Sequence, residues 1–107
     1  MSHRTLIVAR MDPADADSVA KIFAESDAGQ LPHMLGVTRR SLFQFHGLYF
    51  HLVEADEAIP PALEGVRRSP EFRDVDTKLS AHISAYDPIT WRSPADAMAR
   101  QFYSWTA

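Results

Sequence analysis

The chain has 107 residues, 46% of them apolar and 23% charged, with a net charge of -3 at pH 7. That length suits one domain, residues 1–107, with a core of its own, and the balance excludes a disordered or membrane-embedded chain. Lys and Arg are dispersed, which leaves no electrostatic footprint for nucleic acid, and the lack of cysteine excludes a disulfide framework, a thiolate metal site and a cysteine nucleophile.

The opening run MSHRTLIVARMDPAD has its apolar stretch broken by Arg10 and followed by acid. It is too short for a membrane span and carries no signal-peptide cleavage pattern, so a cytoplasmic protein is expected. Residues 4–11 are dense in strand formers and stop where Asp12 can cap a helix and Pro13 can occupy its first turn. In the helix that follows, over 13–27, Ala16, Val19, Ala20, Phe23 and Ala24 recur at three- and four-residue spacing and predict one apolar stripe facing a sheet. Gly29, Pro32 and Gly36 then break the periodicity of AGQLPHMLG, which reads as a loop of the kind that edges a pocket.

RRSLFQFHGLYFHLVEAD, residues 39–56, predicts two antiparallel strands hinged at His46-Gly47. A two-residue turn sets Phe45 opposite Leu48, Phe43 opposite Phe50, Leu42 opposite His51 and Arg40 opposite Val53. Residues 60–83 read as a short and a longer helix interrupted at RSPEF, where Ser69 can cap and Pro70 can start, with Val75 and Leu79 on one face. AHISAYDP and the tail QFYSWTA read as the remaining strands, separated by a loop and a turn of helix capped by Ser93. The order β-α-β-β-α-β plus a terminal strand predicts an α+β, ferredoxin-like split βαβ fold: an antiparallel sheet with helices on one face.

Period-two alternation sorts the hairpin by face. One face carries Arg39, Ser41, Phe43, Phe45, Leu48, Phe50, Leu52 and Glu54; the other carries Arg40, Leu42, Gln44, Tyr49, His51 and Val53. Helices can cover only one face, and both hold more apolar surface than a soluble protein leaves open, so a two-fold homodimer packed sheet to sheet is expected. The mixed face predicts a partly polar cavity into which Arg40 and His51, at diagonal positions of adjacent strands, converge on a small molecule. Leu42, Gln44 and Tyr49 share that face as candidate substrate contacts. The plain alternatives are a salt bridge at a sheet end for Arg40, a half-buried imidazole bonded to a neighbour for His51, and a solvated turn residue for Asp27. His3, His33, His46 and His82 read as structural or solvent-facing; no histidine pair has metal-ligand spacing, and no glycine-rich motif signals a nucleotide cofactor.

ARMDPADADSVAKIFAESD, LP, GVTRRSLFQFHGLYFHLVEAD, RSPEF and FYSW together resemble the polyketide synthesis cyclase family, the tetracenomycin-type aromatic polyketide cyclases of actinomycetes. The resemblance implies a dimeric α+β barrel. It also implies an enzyme that, without metal or organic cofactor, cyclises and aromatises a poly-β-ketone, or a partly cyclised intermediate, from a type II polyketide synthase. A homodimer in transient contact with the synthase or its acyl carrier protein goes with that reading. Carried over by position, the family's polar set falls on Asp27, Arg40 and His51, and Ser26 stands where the family has histidine. On this reading Arg40 stabilises enolate charge, His51 shuttles a proton, and Asp27 with Ser26 orients substrate or water. Two other readings stay open: a non-catalytic protein that steers the polyketide, and a cofactor-free monooxygenase of the same fold.

Overall fold

The computed structural model describes residues 3–92 and 94–107. Strand β1 (His3–Met11) leads through a 3-10 turn, Pro13–Asp15, into helix α1 (Ala16–Asp27). Asp12 caps the turn as expected, its Oδ1 accepting the Ala14 N–H at 2.9 Å, which satisfies a donor that the start of a helix leaves orphaned. A short helix α2 (Leu31–Leu35) precedes the hairpin of β2 (Val37–Phe45) and β3 (Leu48–Ala55). Helices α3 (Ile59–Val66) and α4 (Pro70–Leu79) follow, then β4 (Ile83–Ala85) and a second 3-10 turn, Pro94–Ala97. Ser69 caps α4 by accepting the Phe72 N–H at 3.2 Å, with Pro70 in the first turn.

The four strands form one antiparallel sheet in the order β2-β3-β1-β4, the ferredoxin-like topology. The register is the expected one: Phe45 pairs with Leu48, Phe43 with Phe50, Leu42 with His51 and Arg40 with Val53. Along β3, residues 49, 51, 53 and 55 are buried while 48, 50, 52 and 54 are only half-buried. The helices therefore lie on the mixed face. One core cluster joins Ala9, Met11, Val19, Phe23 and Tyr49; a second joins Val53, Ala55 and Ile59. The opposite face is open, with Phe43 and Phe45 at 54% and 62% exposure.

Four expectations need correction, and one irregularity joins them. The segment 28–36 is not all loop: Pro32 sits in the first turn of α2, where its missing N–H costs nothing, and Gly36 ends the helix at φ 69°, the left-handed cap that favours glycine. In the hairpin turn the left-handed residue is His46, at φ 53°, and not Gly47. Ala20 and Ala24 are exposed, because the buried stripe of α1 runs through Ala16, Val19 and Phe23, flanked by Ile22 and Ser26; at 100° per residue the two alanines lie off its edge. Alternation alone would set Val37 on the face opposite Arg40, yet both lie on the covered face. A bulge between Val37 and Arg39 accounts for this: Val37 pairs with Ala55 and Arg39 with Glu54, so Thr38 is the extra residue. Finally, residues 101–107 form no strand. The side of β1 away from β3 is taken by β4 and by Met98 opposite Ile7, and Ala99 N–H closes that row on the Leu6 carbonyl at 2.7 Å, so β1 offers the aromatic tail no free edge. The expected cap Ser93 lies outside the described residues.

Candidate active site

Between the mixed face of the sheet and the helices lies a cavity of about 430 Å³. Its walls are mainly apolar, with Phe23, Leu31, Ile59, Leu63 and Phe72 from the helices, and its floor carries Arg40, Tyr49 and His51 from the hairpin. Charge placed against these mainly apolar walls is less screened than in bulk water.

Arg40 reaches this cavity from β2 with its side chain 12% exposed. Three contacts hold its guanidinium. Nε donates to the Asp27 carboxylate at 3.0 Å to Oδ2, Nη2 donates to Oδ1 at 2.8 Å, and Nη1 meets His51 Nε2 at 2.8 Å. The Phe23 ring supports it from beneath, 4.7 Å from the guanidinium carbon. Asp27 is the last residue of α1, where the helix dipole disfavours an anion; the paired arginine offsets that cost. A guanidinium has five N–H donors, so two, one on each Nη, have no protein partner among the described residues and remain for a ligand.

His51 is 7% exposed. Burial, and then the Arg40 charge, push its pKa down from 6.5 to about 3, against a smaller upward pull from Asp27. Near neutrality the ring is uncharged. Its Nε2 accepts from Arg40, and an arginine has no acceptor to offer in return, so the ring proton resides on Nδ1. The proton-shuttle role expected for His51 thus meets a ring whose basic nitrogen is already occupied. Tyr49, 4% exposed, sits two residues away on the same face; burial raises its pKa and Arg40 lowers it by less, so its hydroxyl stays protonated. No protein group among the described residues bonds that hydroxyl, and none of their side-chain nitrogens or oxygens is both sealed and unpartnered, so it opens onto the cavity that Tyr49 lines.

The profile of the polyketide synthesis cyclase family matches residues 3–106. The chain belongs to that family. An uncharacterised protein of Streptomyces coelicolor is 58% identical over 96% of this chain and 94% of its own. Polyketide synthase CurG of Streptomyces cyaneus is 52% identical over 96% of both chains. Tetracenomycin F2 cyclase of Streptomyces glaucescens is 47% identical over 100% of this chain and 97% of its own. The solved structure of that cyclase, described as a type II polyketide cyclase, superimposes with a TM-score of 0.92 over 98% of both chains. The protein is accordingly a polyketide cyclase of the ferredoxin-like fold.

Of the residues singled out by sequence, the structure brings Asp27, Arg40 and His51 into one cluster and sets Ser26 and Tyr49 on the cavity wall. Two candidate substrate contacts are not there. Leu42 packs against the core, and the Gln44 amide turns away to the His46 carbonyl at the hairpin end. Neither lines the cavity, to which the outer strand β2 contributes only Val37 and Arg40. Sequence reasoning missed Phe23 as the support of Arg40, and Asp76 of α4 and Ser80 at its C-terminal cap as polar lining. The signal for Phe23 was its place on the α1 stripe, one turn before Asp27.

Proposed function

We propose that this protein folds a poly-β-ketone, or a partly cyclised intermediate, made by a type II polyketide synthase and closes and aromatises its ring by cofactor-independent aldol condensation and dehydration. The observation that carries the reading is a clamped guanidinium with two uncommitted N–H groups at the wall of a cavity that is otherwise mainly apolar. A methylene between two carbonyls loses its proton readily; the enolate oxygen then bears charge, and Arg40 offers a donor that cannot change its own charge state. The enolate carbon attacks a third carbonyl, the new alkoxide takes up a proton, and loss of water makes the ring aromatic. A flexible multi-ketone can pair its carbons in many ways, so the cavity's first contribution is to admit one conformation.

In this reading Arg40 contacts the reacting oxygen, and Asp27 and His51 hold Arg40 in place. Ser26 and Tyr49 contact the rest of the chain. Ser26, where the family has histidine, gives a hydroxyl that donates or accepts a hydrogen bond without titrating near neutrality. The test is a reconstituted synthase with the native or the Arg40→Ala protein, scored for cyclised against shunt products and for rate against substrate concentration. Arg40→Ala should lose about a hundredfold or more in kcat/KM. An unchanged rate and product ratio would reject the assignment, and a native protein that alters products without saturable acceleration would be a steering protein and not an enzyme.

The same reading includes a cytoplasmic homodimer that meets the synthase or its carrier protein transiently. Supporting the dimer is the open sheet face, where Leu6, Val8, Leu48, Phe50 and Leu52 surround the exposed Phe43 and Phe45, more contiguous apolar surface than a monomer leaves in water. Two such faces related by a two-fold axis would cover one another. Sedimentation of the native protein should give twice the chain mass; a monomer at micromolar concentration would refute this.

A further inference from the structure

His51 stands in the middle of the cavity floor with one ring nitrogen committed and one free. Arg40 Nη1 lies 2.8 Å from Nε2, and because a guanidinium only donates, Nε2 must present its lone pair. A neutral imidazole has a single N–H, which is then on Nδ1. No protein acceptor among the described residues meets Nδ1, and none of their side-chain nitrogens or oxygens is both sealed and unpartnered; Nδ1 therefore opens onto the cavity that His51 lines. Turning the ring over to present its other edge would break the Arg40 contact.

We propose that His51 is a neutral hydrogen-bond donor to a substrate oxygen through Nδ1–H, that Arg40 sets this tautomer, and that His51 takes no part in proton transfer. The proposal rests on the cyclase reading for the identity of the substrate, and deepens it. A chain with oxygens on alternate carbons can give one oxygen to the charged Arg40 N–H groups and another to the neutral His51 N–H. Two such anchors on a rigid hairpin fix which carbonyls flank the new bond. A protonated His51 would lose the Arg40 contact and set two cations side by side, so the site works with the ring neutral. The other charged or titratable groups lining the cavity are Arg40, Tyr49 and Asp76, with Asp27 behind Arg40. The proton that leaves carbon and the one that reaches the alkoxide then pass through water or the substrate's own enols.

Protein labelled with nitrogen-15 at histidine shows each ring's tautomer in long-range proton–nitrogen correlation spectra. His51 should show the Nδ1–H pattern, unchanged from about pH 5 to 8, and 1-phenylbutane-1,3-dione, a soluble 1,3-diketone probe, should move that Nδ1–H proton resonance. An Nε2–H pattern, a titration of His51 inside that window, or no response of Nδ1–H to the diketone would overturn the proposal. In the Arg40→Met protein the tautomer is no longer imposed, and His51 should titrate at higher pH than in the native protein. Activity supplies a second arm. Asparagine places an amide nitrogen at the same bond distance from Cγ as Nδ1 but cannot carry a proton through, so His51→Asn should stay within about tenfold of native turnover while His51→Ala falls about a hundredfold. An Asn variant as poor as the Ala variant refutes the donor role. If the spectra and the diketone response hold while the native protein fails to accelerate ring closure, the cyclase reading falls and the donor assignment stands.

Discussion

Protonating His51 is the perturbation whose cost follows most directly from the structure. Its pKa falls from 6.5 to about 3 on folding, chiefly because the ring is buried and secondly because it abuts the Arg40 guanidinium. The unfolded chain therefore binds a proton that the folded one refuses. His51 contributes its full stability above about pH 7, and that contribution is lost as pH falls through the unfolded value toward the folded one. A tenfold change in proton affinity is worth about 1.4 kcal/mol, so the ceiling is about 5 kcal/mol, reached only near pH 3. Between about pH 6 and 4 the loss runs at about 1 kcal/mol per pH unit, a large share of a small domain's stability. Carboxylates begin to titrate at the low end, so the comparison must be made against a protein differing only here. His51→Gln suits, since its amide oxygen can still accept from Arg40 Nη1 and it does not titrate. Urea midpoints at fixed protein concentration from about pH 7.5 to 4.5 should fall more steeply for the native protein than for His51→Gln, by about 1 kcal/mol per pH unit. Parallel profiles would show that the imidazole is not held neutral and would undo the argument for its tautomer.

The other outcomes can be checked with simple variants. Arg40→Lys replaces a fork anchored on two Asp27 oxygens with a point charge, and kcat/KM should drop at least tenfold with little change in thermal midpoint. Asp27→Asn should lower kcat several-fold while KM changes little, since it loosens Arg40 and touches no substrate. Tyr49→Phe removes only a hydroxyl that faces the cavity, so folding should be unaffected while the ratio of cyclised products shifts. Asp12→Ala should cost about 1 kcal/mol of stability by urea titration through loss of the cap on Ala14 N–H. Phe43→Asp on the open sheet face should yield monomer in sedimentation, because a buried carboxylate pair across a two-fold axis repels itself.

The hairpin was legible from the residues alone because two constraints agree there. A two-residue turn fixes the pairing, and period-two alternation converts that pairing into faces, so placing Arg40, Tyr49 and His51 on one side needed no tertiary information. Where one constraint acts alone, the reading drifts. A bulge at Thr38 sets Val37 on the face that alternation alone would deny it, and such a bulge leaves only a weak mark in sequence. The tail 101–107 has the composition of a strand, yet composition gives no account of whether an edge is free to receive it.

The Asp27–Arg40–His51 cluster marks a deeper limit of the same kind. Spacing along two strands says that a guanidinium and an imidazole can meet; it does not say which nitrogen faces which, and the chemistry turns on that. With Nε2 toward Arg40 the imidazole is a poor base and a fixed donor, whereas with Nε2 toward the cavity the same two residues would make an arginine beside a proton shuttle. A third residue aims the guanidinium. Asp27 takes the Nε and Nη2 side of the guanidinium and so turns Nη1 toward the ring. That carboxylate, at the end of a helix where its charge is otherwise disfavoured, thereby holds in place the donor that commits Nε2, without touching the ring.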